Sequence, residues 1–229
     1  MGFSSGESEF IKFPKIAASI YDMMMSSEAT KRQVTEIAEF LTTQLASGKL
    51  LDIGFGPGKL LVEIHRLKPT LELYGLDISS SMLAQARKNL GNIQANLYLG
   101  KIQETDFESD FFDIISCTGS FYLWNEPAIG IDEIHRLLKR GQSAYLFETY
   151  RDIDSERFES ALKENLEREG FLRKRISPQF LRKQIRMTYT REEMKMIFEE
   201  TMFGSSFHMQ EVKIANLPIW VRIELTKTS

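Results

Sequence analysis

The stretch Leu50-Leu51-Asp52-Ile53-Gly54-Phe55-Gly56-Pro57-Gly58-Lys59 decides the fold. Leu50 to Ile53 has the length and apolar character of a short buried strand, and Gly54 to Gly58 is a tight loop. Lys59 to Leu67 has the spacing of the helix that the loop opens. A strand, a glycine-rich turn and a helix in that order form the first β-loop-α unit of an α/β domain. Glycines at such a junction permit unusual backbone angles and close approach of a ligand, while the helix start behind them offers free N–H groups to an anion.

The same alternation continues outward from this unit. Leu71 to Asp77 repeats the strand, and Ser79, Ser80 and Ser81 offer caps to a helix carrying Met82, Leu83, Ala86 and Leu90, which Gly91 ends. Ala95 to Leu99, Phe111 to Cys117 and Ser143 to Thr149 read as further strands. Pro127 to Arg140 reads as a helix with Ile131, Ile134, Leu137 and Leu138 on its buried face. Upstream, Val34, Ile37, Ala38, Leu41 and Leu45 recur at helical spacing after Ser26, Ser27 and Glu28, with Gly48 as a stop. Strands and helices alternating in this way predict right-handed crossovers and a largely parallel, doubly wound sheet covered on both faces. From Arg151 to about Gly204 the pattern is charged and helical, with Phe158, Leu162 and Leu166 apolar and no strand signal. Ser206 to Ile214 and Pro218 to Leu225, separated by Asn216 and Leu217, then predict a closing hairpin.

These elements suggest one domain over 1–229. It divides into a helical cap at 1–47, a binding core at 48–150, a helical insertion at 151–205 and the hairpin at 206–229. The 42% hydrophobic and 27% charged composition is that of a soluble globular chain. Met1 to Phe10 lacks the basic patch and apolar stretch of a secretory leader, so a cytoplasmic location is expected. One cysteine and three histidines (His65, His135, His208) are too few for a disulfide or a thiolate and imidazole cage, so no metal is expected. A formal charge of −3 gives no overall attraction to nucleic acid.

Asp77 ends the second strand 25 positions after Asp52 (77 − 52 = 25), where its carboxylate can reach a ribose at the same sheet edge. Loop and acid together describe an adenosine-type site. A dinucleotide fingerprint has the spacing G-x-G-x-x-G, whereas here the third glycine comes one residue early and Lys59 follows. Asp52, two positions before the first glycine, also suits a ligand with an ammonium group, which S-adenosylmethionine has and a pyrophosphate lacks.

On these residues the chain resembles the class I S-adenosylmethionine-dependent methyltransferases, especially the ubiquinone/menaquinone-biosynthesis-like group. Leu50 to Gly58, Leu73 to Asp77, and Phe112 to Ile115 with Trp124, Pro127 and Glu133 to Gly141 look like that family's successive motifs, over roughly residues 15 to 150. The resemblance implies a Rossmann-like sheet of seven strands, mostly parallel, with an antiparallel hairpin at its end and helical lid segments. It further implies that Asp52, Gly54, Phe55, Gly56 and Gly58 surround the methionine part of S-adenosyl-L-methionine, that Asp77 binds the ribose, and that Ile78 and Met82 flank adenine. Ile102 would cover the ring, Ser116 and Thr118 would lie near the methionyl group, and Tyr21 would close over the pocket. Relatives commonly read Gly-Asp-Ala after the third strand; here Gly100-Lys101-Ile102 lacks the acid.

The implied chemistry is in-line transfer of a methyl group to a small-molecule acceptor, with no covalent intermediate and a general base only for a weak hydroxyl or carbon acid. Tyr21, Tyr122, Trp124, Glu148, Tyr150 and His208 are the candidates for contact with the acceptor. Each has a plainer reading: Tyr122 and Trp124 as packing beneath a loop, His208 as a structural histidine in a strand, Cys117 as a small buried residue. The basic run Arg173, Lys174, Arg175, Arg182, Lys183 and Arg186 reads first as a solvated helix face among Glu167, Arg168 and Glu169. Met23 to Met25 could line a pocket or fill core. A protein or RNA methyltransferase, a catalytically silent cofactor-binding subunit and a dehydrogenase are the competing readings.

Overall fold

A computed structural model describes residues 27–166 and 171–228, with side chains described throughout except at 171–177 and 180. In chain order the elements are α1 (Glu28–Gln44), β1 (Gly48–Ile53), α2 (Lys59–Leu67), β2 (Leu71–Asp77), α3 (Ser80–Leu90), β3 (Ala95–Leu99) and β4 (Ile114–Thr118). They continue with α4 (Pro127–Leu137), β5 (Ser143–Thr149), α5 (Ser155–Leu166), α6 (Phe171–Met187), α7 (Arg191–Glu199), β6 (Phe207–Ile214) and β7 (Leu217–Thr226). The strands form one seven-stranded sheet in the order β3-β2-β1-β4-β5-β7-β6. β7 alone runs against its neighbours. The Rossmann-like sheet with its reversed C-terminal hairpin therefore stands as expected.

Alternation along each strand sends successive side chains to opposite faces. Leu50, Ile114, Tyr145 and Phe147 join α1, α2, α3 and α5 in one apolar layer. Leu51, Ile53, Ile115, Cys117 and Leu146 join α4 and α7 in the other. Phe40 of α1 stands edge-on to Tyr145 and Phe147 and locks the first layer over β5.

Element ends follow local chemistry. Ser27 caps α1 by accepting the Thr30 N–H, and Ser79 caps α3 by accepting that of Met82. Thr190 and Glu193 make a reciprocal capping box on α7. Three boundaries differ from the sequence reading. β4 begins at Ile114 rather than Phe111, because Phe112 instead makes an isolated bridge to Leu138. That bridge also ends α4 at Leu137, short of Arg140. The hairpin turns on Ala215 and Asn216 at φ 50° and 64°, the left-handed pair of a two-residue turn, so Leu217 already pairs with Ile214. The 151–205 stretch contains α5, α6 and α7, as its helical pattern predicts.

Candidate functional site

β1 and β4 are neighbours, yet the chain winds from β1 towards β3 on one side and from β4 towards β5 on the other. In doubly wound sheets such a switch point opens a crevice at the carboxyl ends of the strands, where ligands bind. The glycine loop leaves β1 at this point. Gly54, Gly56 and Gly58 all have positive φ, at 71°, 53° and 75°. They differ in what surrounds them.

A Cβ at Gly54 would lie 2.3 Å from Ser120 Oγ, and one at Gly58 would lie 3.0 Å from Ala86 Cβ. Gly54 therefore admits the loop after β4, and Gly58 admits close packing of α2 on α3. A Cβ at Gly56 would meet nothing within 4 Å, so this residue faces the crevice. Phe55 points the other way: it is buried in the first apolar layer and would clash with any side chain at Gly75. Its ring anchors the loop from below, and only its backbone can face a ligand.

Two carboxylates border the loop. Asp52 is 3% exposed and accepts a 2.9 Å hydrogen bond from Ser116 Oγ on β4. Burial pushes its pKa up to about 7, the Ser116 bond opposes that rise, and the nearby negative charge of Asp77 adds to it. Asp77 ends β2 and accepts the Gly56 N–H on Oδ2 and the Ser79 N–H on Oδ1, both at 2.8 Å. Burial raises its pKa as well, while those two N–H groups oppose the rise. Asp77 thus ties the loop at Gly56 to the start of α3. Ile78 beside it is 45% exposed, an apolar side chain at the crevice mouth. Met82 and Ile102 are buried, with Ile102 packed near Gly130 and Trp124. Lys101 is exposed.

The loop after β4 is held by a residue the sequence reading had offered as a catalytic candidate. Glu148, fully buried near the end of β5, accepts the N–H groups of Ser120 and Phe121 on Oε1, both at 2.9 Å. Desolvation lifts its pKa to about 7 against those two donors. Ser120 in turn donates to Ile53 O at 3.3 Å. The chain of contacts runs from Glu148 through Ser120 to the glycine loop. Ser120 had no signal of its own in the sequence, since its role arises from a non-local approach to Gly54.

The remaining candidates are dispersed. Tyr122 is half-buried, and Trp124 packs edge-on against Phe121. Tyr150 is buried with the Arg191 guanidinium over its ring. Cys117 is buried beside Glu148, and burial holds its thiol well above the usual range. His208 is exposed on the edge strand β6. It lies in a register row with Glu224, Tyr145, Ser116 and Asp52, four strands from β1 and about 19 Å away at normal strand spacing. In the basic run, Arg182 makes a two-pronged pair with Glu159 of α5. Tyr21 and Met23 to Met25 lie outside the described residues, as do the side chains of Arg173, Lys174 and Arg175. Among the described residues no group of His, Cys, Asp and Glu could hold a metal, and no helix is long and apolar enough to cross a membrane.

The crevice elements coincide with a family match. Residues 50–141 match the model of a methyltransferase domain. The matched stretch runs from β1 to just past α4 and so contains the glycine loop, Asp52, Asp77 and Ser116. An uncharacterized methyltransferase of Bacillus subtilis is 28% identical over 106 residues, which are 46% of this chain and 59% of that relative. A demethylmenaquinone methyltransferase of Chlorobaculum parvum is 33% identical over 100 residues, 44% of this chain and 40% of that relative. The chain thus spans well under two thirds of the length of these curated relatives. The fold extends further: the plantazolicin methyltransferase BamL, solved with a triazolic desmethylPZN analog and SAH, superposes with a TM-score of 0.71 at 18% identity, over 93% of this chain and 91% of that one.

Proposed function

We propose that the chain is an S-adenosylmethionine-dependent methyltransferase that transfers a methyl group to a small-molecule acceptor by in-line displacement. The observation that carries this reading is the grouping of a buried carboxylate, a glycine loop open at Gly56 and a strand-end acid at the switch point of the sheet.

The residues fit the cofactor. Substituting Gly56 with any larger residue would fill the crevice that it borders. Asp77 has used one acceptor site on each oxygen, and an ionised carboxylate has about four, which leaves capacity for the two hydroxyls of a ribose. Ile78 and Met82 would flank the adenine and Ile102 would cover it. Asp52 would face the ammonium of the methionyl group, with Ser116 fixing its orientation and Thr118 close by. Tyr21 remains part of this reading as a residue that would close over the pocket.

Bound there, S-adenosylmethionine supplies a sulfonium methyl that needs no further activation. The protein's task is then orientation and exclusion of water. Asp52 would hold the ammonium and Asp77 the ribose of the ligand, and Glu148 fixes the loop after β4 through Ser120 and Phe121. α6 brings Gln184 over Gly119 at the same edge, as part of a helical cover for the acceptor. Glu148 acts in this scheme as a positioning residue, since its near oxygen is committed to backbone N–H groups. Relatives and neighbours bear names of methyltransferases acting on quinone precursors and on plantazolicin, which supports a small acceptor over protein or RNA. The absence of a long apolar helix among the described residues is compatible with the cytoplasmic location expected from sequence.

Isothermal titration with S-adenosylmethionine, S-adenosylhomocysteine and NAD tests the reading. Binding of the first two alone is expected; binding of NAD alone would overturn it.

A further inference from the structure

Helix α6 carries Arg173, Lys174, Arg175, Arg182, Lys183 and Arg186 and no acidic residue. The whole chain has a formal charge of −3, so the rest of it amounts to −9 (−3 − 6 = −9). The neighbouring sequence does not cancel this excess. From 155 to 187, which spans α5, the link after it and α6, nine basic residues face five acidic ones, a net of +4 (9 − 5 = 4).

The charge does not serve the helix itself. Arg173, Lys174 and Arg175 stand in its first two turns, where the N–H end of the helix dipole favours acids, and α7 has Glu192 and Glu193 in its own first turn instead. It is not spent on the fold either. Of the basic side chains described on α6, Arg182 pairs with Glu159 of α5, while Lys183 and Arg186 are exposed and make no ion pair with a described residue.

From Pro178 onwards the helix has two distinct sides. Ile185 is buried in the first apolar layer, and Gln184 Nε2 lies 4.0 Å from where a Cβ of Gly119 would stand, at the end of β4. Gln179, Lys183 and Arg186, at i, i+4 and i+7, form an exposed stripe on the other side, and Met187 beside them is 42% exposed. The rings of Phe121 and Tyr189, 5.5 Å apart, join the end of α6 to the loop after β4. Leu123 of that loop is 48% exposed.

Unpaired cations beside exposed aliphatic side chains suit a partner that is anionic at its surface and apolar just beneath. A nucleic-acid strand matches the charge, but its single-strand readers stack bases on aromatic rings, and it offers Met187 and Leu123 nothing to enter. A bilayer matches both features.

We propose that the exposed side of α6, with Met187 and Leu123 at its end, is a docking surface for a membrane rich in anionic lipid. Resting on the methyltransferase reading, docking there sets the rim of the crevice against the headgroups.

The full chain is sedimented with vesicles of phosphatidylcholine alone and with vesicles of an equal mixture of phosphatidylcholine and phosphatidylglycerol, and titrated in parallel with polyuridylate. Binding to the mixed vesicles only, weakening as salt rises, is expected. The double variant Lys183→Glu, Arg186→Glu should lose at least about tenfold in vesicle affinity, and Met187→Ser about threefold, both with S-adenosylhomocysteine affinity unchanged by calorimetry. Absence of vesicle binding, equal binding to both compositions, wild-type sedimentation of either variant, or tighter binding to polyuridylate than to the mixed vesicles overturns the proposal. Calorimetry separates the two readings: a chain that docks on vesicles but binds no S-adenosylhomocysteine keeps the docking surface and removes the methyltransferase reading, whereas the reverse outcome removes only the docking surface.

Discussion

At Gly56 the backbone has φ 53° and a methyl group would meet no protein atom within 4 Å, whereas at Phe55, one residue earlier, the ring is embedded in the core. The two positions should therefore fail in opposite ways. Gly56→Ala is expected to cost only about 1 kcal/mol of stability, from the left-handed backbone, yet to weaken S-adenosylmethionine binding at least tenfold by calorimetry. Phe55→Ala should cost about 3–5 kcal/mol in urea unfolding, the usual range for an emptied aromatic site. Asp77→Ala removes both the ligand's expected partner and the tether to Gly56 and Ser79, so cofactor affinity should fall by about 1.5–3 kcal/mol. An unchanged dissociation constant would count against Asp77 as the ribose acid. At this scale the sequence was informative about backbone demands, since glycines and a strand-end acid announce themselves by spacing. It was silent on side-chain direction: nothing in the run around Phe55 separates a ring that faces a ligand from one that faces the core.

The strands and helices were legible wherever one face is continuously apolar, as in α1, β1, β2 and β5. Legibility failed where a segment is shaped by a distant partner. The start of β4 moved because Phe112 pairs with Leu138, and the loop at Ser120 is shaped by Glu148, 28 residues away. Helix α7 offers a test at this scale. Its capping box satisfies two N–H groups, at Thr190 and Glu193, so Thr190→Ala should cost about 1 kcal/mol, read as a lower urea midpoint. Met194 and Phe198 of α7 pack in the same layer as Phe121, so partial fraying of the helix should also loosen the loop after β4.

For the molecule as a whole, the two acids buried at the crevice set a pH dependence. Asp52 and Glu148 titrate near 7 in the folded chain, against 3.8 and 4.5 for the free groups. The folded state therefore binds more protons between those limits. The stability this gives is complete below about pH 4 and is lost as pH rises through 7, with a slope of at most about 1.4 kcal/mol per pH unit for each group. Thermal unfolding of the ligand-free protein should show a lower Tm at pH 8 than at pH 5.5, with the difference reduced in Asp52→Asn and in Glu148→Gln. Cofactor affinity should move the other way. A ligand ammonium favours ionised Asp52, so binding should strengthen between pH 6 and 7.5 and release protons, and Asp52→Asn should flatten that trend. Opposed pH trends for stability and binding would mark a site whose charges are completed by its ligand.

Cys117, the only cysteine, sits at the centre of the sheet with a thiol that burial keeps protonated. A maleimide or an aromatic disulfide can reach it only when β4 parts from its neighbours. The rate of its labelling therefore clocks the opening of the middle of the sheet, with no engineered probe and no competing thiol. Slower labelling with a ligand present would report how far occupancy at the strand ends tightens the strand that carries them.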